Sequence, residues 1–414
     1  MTKKRKVCII LGAIIILFMG IIVYLNKGEH PVYQDKHFSR AVEDKRISIL
    51  IETKYGSGEY EESKENKWPN GYNYNTSLSR CENDSELVWN EDTRSVLLKA
   101  SLSDKCYVYF DVVLPLAEYI KSQYTGTQGE NNLYLHDSTL ENGAEDDSYR
   151  YAGFSDTTNN FVCFGYDSVD SACPTDYLYR IIGVFGNQVK LIKYDYANSN
   201  LLGTDGDFDS DHQPYTPDDF STYRGTKNTI DIYCWNCSSN DNSVNQWNIS
   251  NLNIINLNTN FLNNIGEQWS NKIATHTWQV GGNTWEKIGN MSASGAYQNE
   301  IVSPSTSLTY AAKVGLLYVS DYGYAAALSS WTTALESYNS PSVTSLNWIY
   351  MGLHEWTNSP QLSASNYAFS IHSSGSVYNS YVHYSKAIRP VFYLDSNVAY
   401  AGGSGTISSP ILIS

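Results

Sequence analysis

Apolar residues first cluster at the N-terminus, where nineteen residues from Val7 to Leu25 carry no charge and follow the basic run Lys3-Lys4-Arg5-Lys6. At a rise of 1.5 Å per residue this is about 28 Å of helix, against a bilayer hydrocarbon core of roughly 30 Å. The pattern predicts a cytoplasmic basic cluster and a transmembrane helix in residues 1–26, with the remaining chain outside the cell. A cleaved signal peptide is the alternative, although no clear small-x-small cleavage site follows.

Short runs in which apolar and polar residues alternate lie further along the chain, after a polar segment. Residues 27–45 are polar without periodicity and predict a stalk. Residues 46–113 contain five alternating runs separated by turn clusters such as Asn90-Glu-Asp-Thr, which predicts a small antiparallel β-sandwich domain. Residues 114–153 predict a helix from Pro115 to Tyr124 and then a polar linker.

A larger domain is predicted in residues 154–414. The runs Tyr179–Phe185 and Gln188–Lys193, joined by Gly186-Asn187, have the pattern of a hairpin. Between Ser250 and Ile273 apolar residues recur at close to helical spacing, which predicts a helix pair broken near Asn256 to Asn258. Together these elements predict an α+β fold class.

The least charged part of this domain lies between Glu355 and Lys386, where no Asp, Glu, Lys or Arg occurs. Ala368–His372 and Ser376–Ser385 alternate around Ser373-Ser374-Gly375, which predicts an antiparallel hairpin. Val377 and Val382 have opposite parity, and this predicts a bulge or a turn near Asn379-Ser380.

Aromatic and amide side chains in this stretch are the candidate ligand-binding residues, because rings stack on a partner and amides fix its orientation. Alternation along a strand places any one ring beneath the hairpin as readily as on its outer face. The candidates are Trp356, Asn358, Tyr367, His372, Tyr378, Asn379, Tyr381, His383 and Tyr384. A surface of this kind favours a glycan or protein ligand outside the cell.

Arg389 interrupts the apolar run from Ile388 to Leu394. The favoured interpretation is a buried ion pair with Asp321, Glu355 or Asp395, because a buried charge needs a partner. The alternative is an anion-binding site.

Six sequence motifs carry a family resemblance. They are Trp247-Asn-Ile-Ser-Asn-Leu, Leu257-Asn-Thr-Asn-Phe-Leu, Val314-Gly-Leu-Leu-Tyr-Val-Ser, Trp348, Ala368-Phe-Ser-Ile-His-Ser-Ser-Gly and Ile388-Arg-Pro-Val-Phe-Tyr-Leu. In this order the set resembles an uncharacterised domain family of bacterial surface proteins, which is similar to the C-type-lectin-like fold of formylglycine-generating enzymes. The resemblance covers roughly Asp176 to Ser396 and implies a C-type-lectin-like α+β domain. Ala387 stands where the family usually has Gly.

The excess of acidic residues limits the classes of partner that the chain could bind. After the basic cluster the chain carries 24 Lys and Arg against 43 Asp and Glu. This balance argues against nucleic acid or an anionic lipid surface as a partner. The membrane is expected as a partner only through residues 7–25, with the chain at the cell membrane as a single-pass protein.

Six cysteines beyond Cys8 fall in close pairs along the chain, as expected in an oxidising compartment. Local pairing predicts the disulfides Cys81–Cys106, Cys163–Cys173 and Cys234–Cys237. For the last pair, half of a zinc site or a redox motif is the alternative, but no second ligand pair accompanies it.

Four alternating acids, Asp205, Asp207, Asp209 and Asp211, are the candidate metal ligands. Calcium favours such oxygen-rich loops, although the Gly and Glu positions of an EF-hand are missing. A solvated acidic loop is the alternative, and no other cofactor is expected.

These features favour a membrane-anchored extracellular binding or adhesion protein over an enzyme. Formylglycine-generating oxidases use a cysteine pair late in the domain, and here no cysteine follows Cys237. No Gly-x-Ser-x-Gly, His-Glu-x-x-His or phosphate-loop motif occurs either. A structural protein of the cell envelope is the third possibility.

Overall fold

The computed structural model describes residues 47–65, 67–69, 71–83, 85–90, 93–99, 104–166, 172–237 and 244–414. The chain divides into two compact units, with the boundary between Val113 and Leu114. The predicted membrane anchor in residues 1–26 and the stalk in 27–45 lie outside the described residues. Among the helices that the structure does describe, none combines the length and the apolar character that a membrane crossing requires.

The described residues of the first unit contain seven strands. They are β1 (Ile47–Glu52), β2 (Tyr60–Glu62), β3 (Tyr72–Tyr74), β4 (Arg80–Cys81), β5 (Glu86–Asn90), β6 (Ser95–Lys99) and β7 (Cys106–Val112). Five of them form one sheet in the order β2-β1-β7-β3, with β4 also paired to β7, while β5 and β6 form a separate hairpin.

The prediction of an antiparallel sandwich for this unit is wrong, because β1 and β7 pair in parallel. Their alternating apolar residues, Ile47 and Ile49 on β1 with Val108 and Phe110 on β7, bury one face of the mixed sheet. Trp89 of the β5–β6 hairpin packs edge-on against Phe110, with ring centroids 5.3 Å apart. The period-2 pattern locates β1, β5, β6 and β7, but it misses β2 and merges β3 with β4. It also carries no information on the direction of pairing.

The second unit contains sixteen strands and short helices among its described residues. The strands are β8 (Leu133–Leu135), β9 (Tyr149–Tyr151), β10 (Phe161–Cys163), β11 (Leu178–Phe185), β12 (Gln188–Lys193), β13 (Tyr233–Cys234), β14 (His276–Gln279), β15 (Thr309–Ala312), β16 (Val314–Gly315), β17 (Glu355–Pro360), β18 (Tyr367–Ile371), β19 (Val377–Tyr381), β20 (Ser385–Lys386), β21 (Val391–Tyr393), β22 (Tyr400–Gly402) and β23 (Leu412–Ile413). The α-helices are α1 (Leu116–Ser122), α2 (Ser199–Leu202), α3 (Leu262–Asn264), α4 (Glu267–Ser270), α5 (Trp285–Ile288), α6 (Ala293–Tyr297), α7 (Val319–Tyr324) and α8 (Pro341–Thr344). Single 3-10 turns cover Glu130–Asn132, Thr175–Tyr177, Pro217–Asp219, Trp247–Ile249, Leu328–Ser330 and Leu335–Ser337, and π-helical turns cover Leu252–Phe261 and Gln298–Val302.

A seven-stranded sheet forms the centre of this unit, in the order β16-β21-β12-β11-β9-β8 with β10 also paired to β11. The predicted β11–β12 hairpin is confirmed, and Gly186 at its turn has φ +63°. Residues of both parities in β11 and β12 are buried, as expected for strands covered on both faces. Strands β8 and β9, from the stretch predicted as a linker, belong to this sheet.

The α+β, lectin-like fold class predicted for this unit is also wrong, because strands predominate and the helices are too short to form a layer. The predicted helix pair in Ser250–Ile273 is a ten-residue π-helical segment followed by α3 and α4. The break lies at Gly266, whose φ is +83°, and not near Asn256. The longest α-helix among the described residues, α1, has seven residues.

Candidate functional site

The predicted hairpin around Gly375 is confirmed and forms the outer part of a three-stranded sheet, β17-β18-β19. Its register is regular from Tyr367 opposite Tyr381 to Ile371 opposite Val377. There is therefore no bulge at Asn379-Ser380, and of the two predicted alternatives it is the turn that occurs, just after β19 at Val382 to Tyr384. Val377 and Val382 are both buried because β19 ends at Tyr381 and the chain then turns, with the N–H of Tyr384 donating to the Tyr381 carbonyl at 2.9 Å.

A groove of about 390 Å³ lies along strand β19. Its lining residues are Gln361, Ala364, Tyr367, Tyr378, Asn379, Ser380, Tyr381 and Tyr384, and we call it the tyrosine groove. Five of these residues are among the nine sequence candidates. The other three come from the loop before β18 and from β19 itself, and none is charged.

The four tyrosines differ in exposure and in what holds them. The rings of Tyr367 and Tyr381 lie 4.2 Å apart and are half-buried. Tyr378 and Tyr384 are 54% and 51% exposed. A hydrogen bond between the hydroxyls of Tyr367 and Tyr381, together with desolvation, raises the pKa of Tyr367 to about 12. This hydroxyl therefore stays protonated at neutral pH and remains a neutral hydrogen-bonding group.

Two amide side chains complete the groove. The Asn379 Nδ2 donates to Gln361 Oε1 at 2.5 Å, which fixes the orientation of both amides. Gln361 Nε2 also donates to the Ser363 hydroxyl at 2.9 Å. Among the described residues no donor reaches Asn379 Oδ1, so this oxygen is available to accept a hydrogen bond from a ligand.

Asn245 holds the loop wall of the groove in place and was missed by sequence reasoning. Its Nδ2 donates to the carbonyls of Gln361 at 2.7 Å, Ala364 at 3.0 Å and Tyr367 at 2.7 Å. Asn245 lies more than a hundred residues before the loop, and only the folded chain brings them together. An asparagine in a polar segment gives no sequence signal for such a role.

Trp356 and Asn358, two further candidates, lie in β17 and are fully buried away from the groove lining. The Trp356 indole donates to the Tyr233 carbonyl at 3.0 Å, and the Lys386 ammonium lies 5.0 Å from its ring. Every residue of β17 is buried, because this strand is covered on both faces. These two side chains therefore support the sheet instead of lining the tyrosine groove.

The two candidate histidines lie outside the groove lining. His383 is exposed, with its ring stacked 5.3 Å from Tyr381. His372 is half-buried, and its ring meets His354 edge-on at 4.4 Å. Burial, with a smaller effect of the Lys386 charge, lowers the pKa of His372, so this ring is neutral at physiological pH.

The four aspartates proposed as calcium ligands make separate contacts. Asp207 is buried, and its carboxylate accepts the N–H groups of Cys237 at 2.9 Å and Leu252 at 2.8 Å. Asp205 accepts from Asn260 Nδ2 at 2.6 Å, and Asp209 accepts the N–H of Asp211 at 3.0 Å. In the described parts of the chain, the metal-like grouping of acids, histidines and cysteines is Cys81, Asp104 and Cys106, and its two cysteines are disulfide-bonded. The structure thus does not bring the four carboxylates together.

The remaining predictions concern covalent and ionic links. The three disulfides Cys81–Cys106, Cys163–Cys173 and Cys234–Cys237 are confirmed. Arg389 forms a buried, bidentate ion pair with Glu355, at 2.8 Å from Nε and 2.7 Å from Nη2, and also donates to the Ile349 carbonyl. The ion-pair interpretation of Arg389 is therefore confirmed. Ala387 is not among the residues with positive φ, so alanine is accommodated there without strain.

No family model matches the chain, and neither a curated protein nor a solved structure matches it. The resemblance to bacterial surface proteins therefore rests on its sequence motifs alone.

Proposed function

We propose that this chain is a membrane-attached extracellular protein that binds a neutral glycan in the tyrosine groove. One observation supports this proposal above the others: the lining combines four tyrosine rings and two amides with no charged side chain. Sugar rings present apolar C–H faces and many hydroxyls. Aromatic faces and amide groups match both features, while an uncharged wall offers nothing to a charged partner.

The groove is also held in shape before any ligand arrives. Asn245 ties the loop wall through three hydrogen bonds, and the Asn379–Gln361 contact orients the amides. A preformed site loses less conformational freedom on binding, which helps a ligand that makes few contacts. The exposed Tyr378 and Tyr384 rings are then the groups that a ligand would meet first.

The proposed location rests on other parts of the chain. The three disulfides fit an oxidising compartment outside the cytoplasm. The basic run Lys3-Lys4-Arg5-Lys6 followed by apolar residues 7–25 supports attachment to a membrane with the N-terminus inside. The excess of acidic residues supports neutral partners over nucleic acid.

A glycan array probed with the full-length protein in mild detergent tests this function. We expect binding to one or more neutral oligosaccharides. The double replacement Tyr378→Ala and Tyr384→Ala should weaken that binding by about 1 to 3 kcal/mol, or about 5- to 150-fold, because exposed rings contribute to binding and little to packing.

The control is Tyr177→Ala, which removes an exposed ring, 39% accessible, outside the groove lining. It should leave glycan binding unchanged. Equal loss of binding in the control, or an unchanged affinity in the groove double variant, would contradict the proposal, as would an array without a single neutral glycan bound.

A further inference from the structure

A second cavity, of about 180 Å³, lies beside the seven-stranded sheet and shares no lining residue with the tyrosine groove. Its polar lining includes Arg150 on β9, Lys190 on β12, His276 and Gln279 on β14, Asp321 on α7 and Tyr393 on β21. We call it the polar cavity. At a share of about 30 Å³ per water, it has room for roughly six waters or one small organic molecule.

The charges of the polar cavity are buried and paired. Lys190 Nζ lies 2.6 Å from Asp321 Oδ2, and both side chains are almost fully buried. Arg150 Nη2 lies 2.5 Å from Asp146 Oδ2 and stacks 4.8 Å from the Phe185 ring. Each pair is neutral in itself, and the lining residues Arg150, Lys190 and Asp321 give the walls both signs of charge, with Asp146 behind the lining.

The neighbouring titratable groups do not disturb this balance. Burial, followed by the Lys190 charge, lowers the pKa of His276 to about 4, so its ring is neutral at physiological pH. The buried Glu300 does not line the cavity, and its carboxylate accepts the N–H groups of Val319 and Ser320 at the start of α7, each at 3.0 Å. A ligand with a large net charge would therefore be poorly matched to this site.

Several polar atoms of the cavity walls have no partner among the described residues. Gln279 Oε1 is buried without a hydrogen-bond donor. Tyr393 is only 5% exposed, and its ring is stacked 3.8 Å from the ring of His276. Its hydroxyl makes no hydrogen bond to any described residue. Asp321 accepts the Lys190 and Tyr318 N–H groups on Oδ2, which leaves Oδ1 open.

Arg150 adds an open donor to these groups. Its Nε donates to the Ser148 hydroxyl and its Nη2 to Asp146, while Nη1 has no acceptor among the described residues. A buried polar group without a partner costs about 1 to 3 kcal/mol, and of these four atoms Gln279 Oε1 is the one that is fully buried in that state. The other three atoms belong to residues that line the same cavity. A ligand that carries both an acceptor and a donor would satisfy them together.

We propose that the polar cavity binds a small zwitterion of the free α-amino acid class. The ligand carboxylate meets Arg150 Nη1 and the Tyr393 hydroxyl, and its ammonium group meets Asp321 Oδ1 and Gln279 Oε1. The opposite charges of the ligand match the two signs of charge on the walls. A short neutral side chain fills the remaining volume against the rings of Phe185 and Tyr318, which also line the cavity.

Isothermal titration calorimetry of the full-length protein tests this inference. The panel contains glycine, alanine, leucine, glutamate and lysine, with propionate and ethylamine as analogues of alanine that lack one charged group. We expect a neutral amino acid to bind, glutamate and lysine to bind more weakly, and each analogue to bind at least about tenfold more weakly than alanine, because each loses one charge-assisted contact.

Two conservative variants locate the binding. Tyr393→Phe removes a hydroxyl that has no protein partner, and Gln279→Met removes an unpartnered oxygen, so both should fold normally and bind the amino acid about tenfold more weakly. Tyr378→Ala, in the tyrosine groove, should leave amino acid binding unchanged. Absence of binding by every amino acid in the panel, equal binding of propionate and alanine, or full affinity in both variants would overturn the proposal and leave a water-filled cavity.

Discussion

At the residue scale, two partly buried histidines tie the stability of the second unit to pH. Burial, followed by nearby cationic side chains, lowers the pKa of His276 and of His354 to about 4 in the folded protein. In the unfolded chain an imidazole has a pKa of about 6.5. Between these two pH values the unfolded state binds more protons than the folded state, and stability therefore falls as the pH falls through this window.

We expect each of these two histidines to lower the free energy of unfolding by about 1 to 2 kcal/mol between pH 7 and pH 4. This is less than the full pKa shift implies, because solvent screens partly exposed groups. The measurement is urea unfolding across this range. His276→Phe keeps a ring against Tyr393 but cannot bind a proton, so its loss over the same interval should be smaller. An unchanged pH dependence in this variant would show that His276 does not contribute.

The ion pair of Arg389 could be predicted from the sequence, but its partner could not. A lone arginine in an apolar run predicts a buried ion pair, because an unpaired charge there would cost several kcal/mol. Three acids were eligible partners, and the chain order does not distinguish among them. Glu355 is the partner because β17 begins beside the segment between β20 and β21, where an isolated parallel bridge joins Glu355 to Ala387, two residues before Arg389. That choice depends on tertiary pairing.

At the scale of single elements, the β18–β19 hairpin depends on its turn glycine. Gly375 has φ +100°, and a Cβ placed there would lie 2.3 Å from Thr344 Cγ2 and 2.9 Å from the Tyr338 carbonyl oxygen. Gly186, at the β11–β12 turn, also has positive φ, but a Cβ there would meet nothing within 4 Å. Alanine at Gly186 would therefore meet backbone strain alone, whereas alanine at Gly375 would meet backbone strain and steric overlap.

Gly375→Ala should lower the free energy of unfolding by about 2 to 5 kcal/mol, as left-handed strain and overpacking add. Gly186→Ala should cost about 1 to 2 kcal/mol, from strain alone. Chemical denaturation of both variants gives the comparison. Equal losses at the two positions would mean that the structure around Gly375 yields to the added methyl group.

Hairpins with glycine turns were predictable, whereas the segment Leu252–Phe261 was not. Asn256 accepts the N–H of Asp207 at 3.0 Å and donates to the Leu202 carbonyl at 2.8 Å. Asn258 donates to the Val314 carbonyl and accepts its N–H. These asparagines join the π-helical segment to loops and strands distant in sequence. Local spacing predicts a helix here, but its register and length follow from those remote contacts.

Four of the nine ligand-site candidates lie outside the groove lining, for the same reason that local pattern does not show remote contacts. Alternation placed rings on two faces, but the sequence did not show that β17 would be covered on both sides and β19 would lie at the edge of its sheet. Trp356 and Asn358 were therefore indistinguishable from Tyr378 and Asn379 at that level. The wall formed by Gln361 and Ala364 becomes recognisable only after Asn245 is found beneath it.

At the scale of the whole molecule, the two units differ in how much core they have. The first unit rests on a small cluster around Ile49, Val108 and Phe110. The Cys81–Cys106 disulfide closes a loop of 25 residues in this unit, which is worth about 3 to 4 kcal/mol in the chain-entropy description. A small core makes such a link a large part of the total stability.

Replacing Cys81 and Cys106 together by Ser should raise hydrogen exchange across residues 47–113, while peptides from β11 and β12 keep their protection. Mass spectrometry of exchanged peptides provides the measurement. The matched control replaces Cys163 and Cys173, which lie in the second unit. If both double variants raised exchange in the same peptides, the two units would not unfold separately as we expect.

The tyrosine groove lies along β19, an edge strand of the β17-β18-β19 sheet. The groove is small, and its rings lie on β18, on β19 and in the turn before β20, with β20 paired to the disulfide-bonded Cys234 on β13. A small rigid site of this kind gives fast exchange and modest affinity for one sugar unit. Many copies fixed side by side on one surface would engage a repetitive polymer together, and such multivalent attachment can exceed the single-site affinity by about 10² to 10⁴. Avidity on a crowded surface, more than tight binding by one molecule, is then the regime in which this groove would operate.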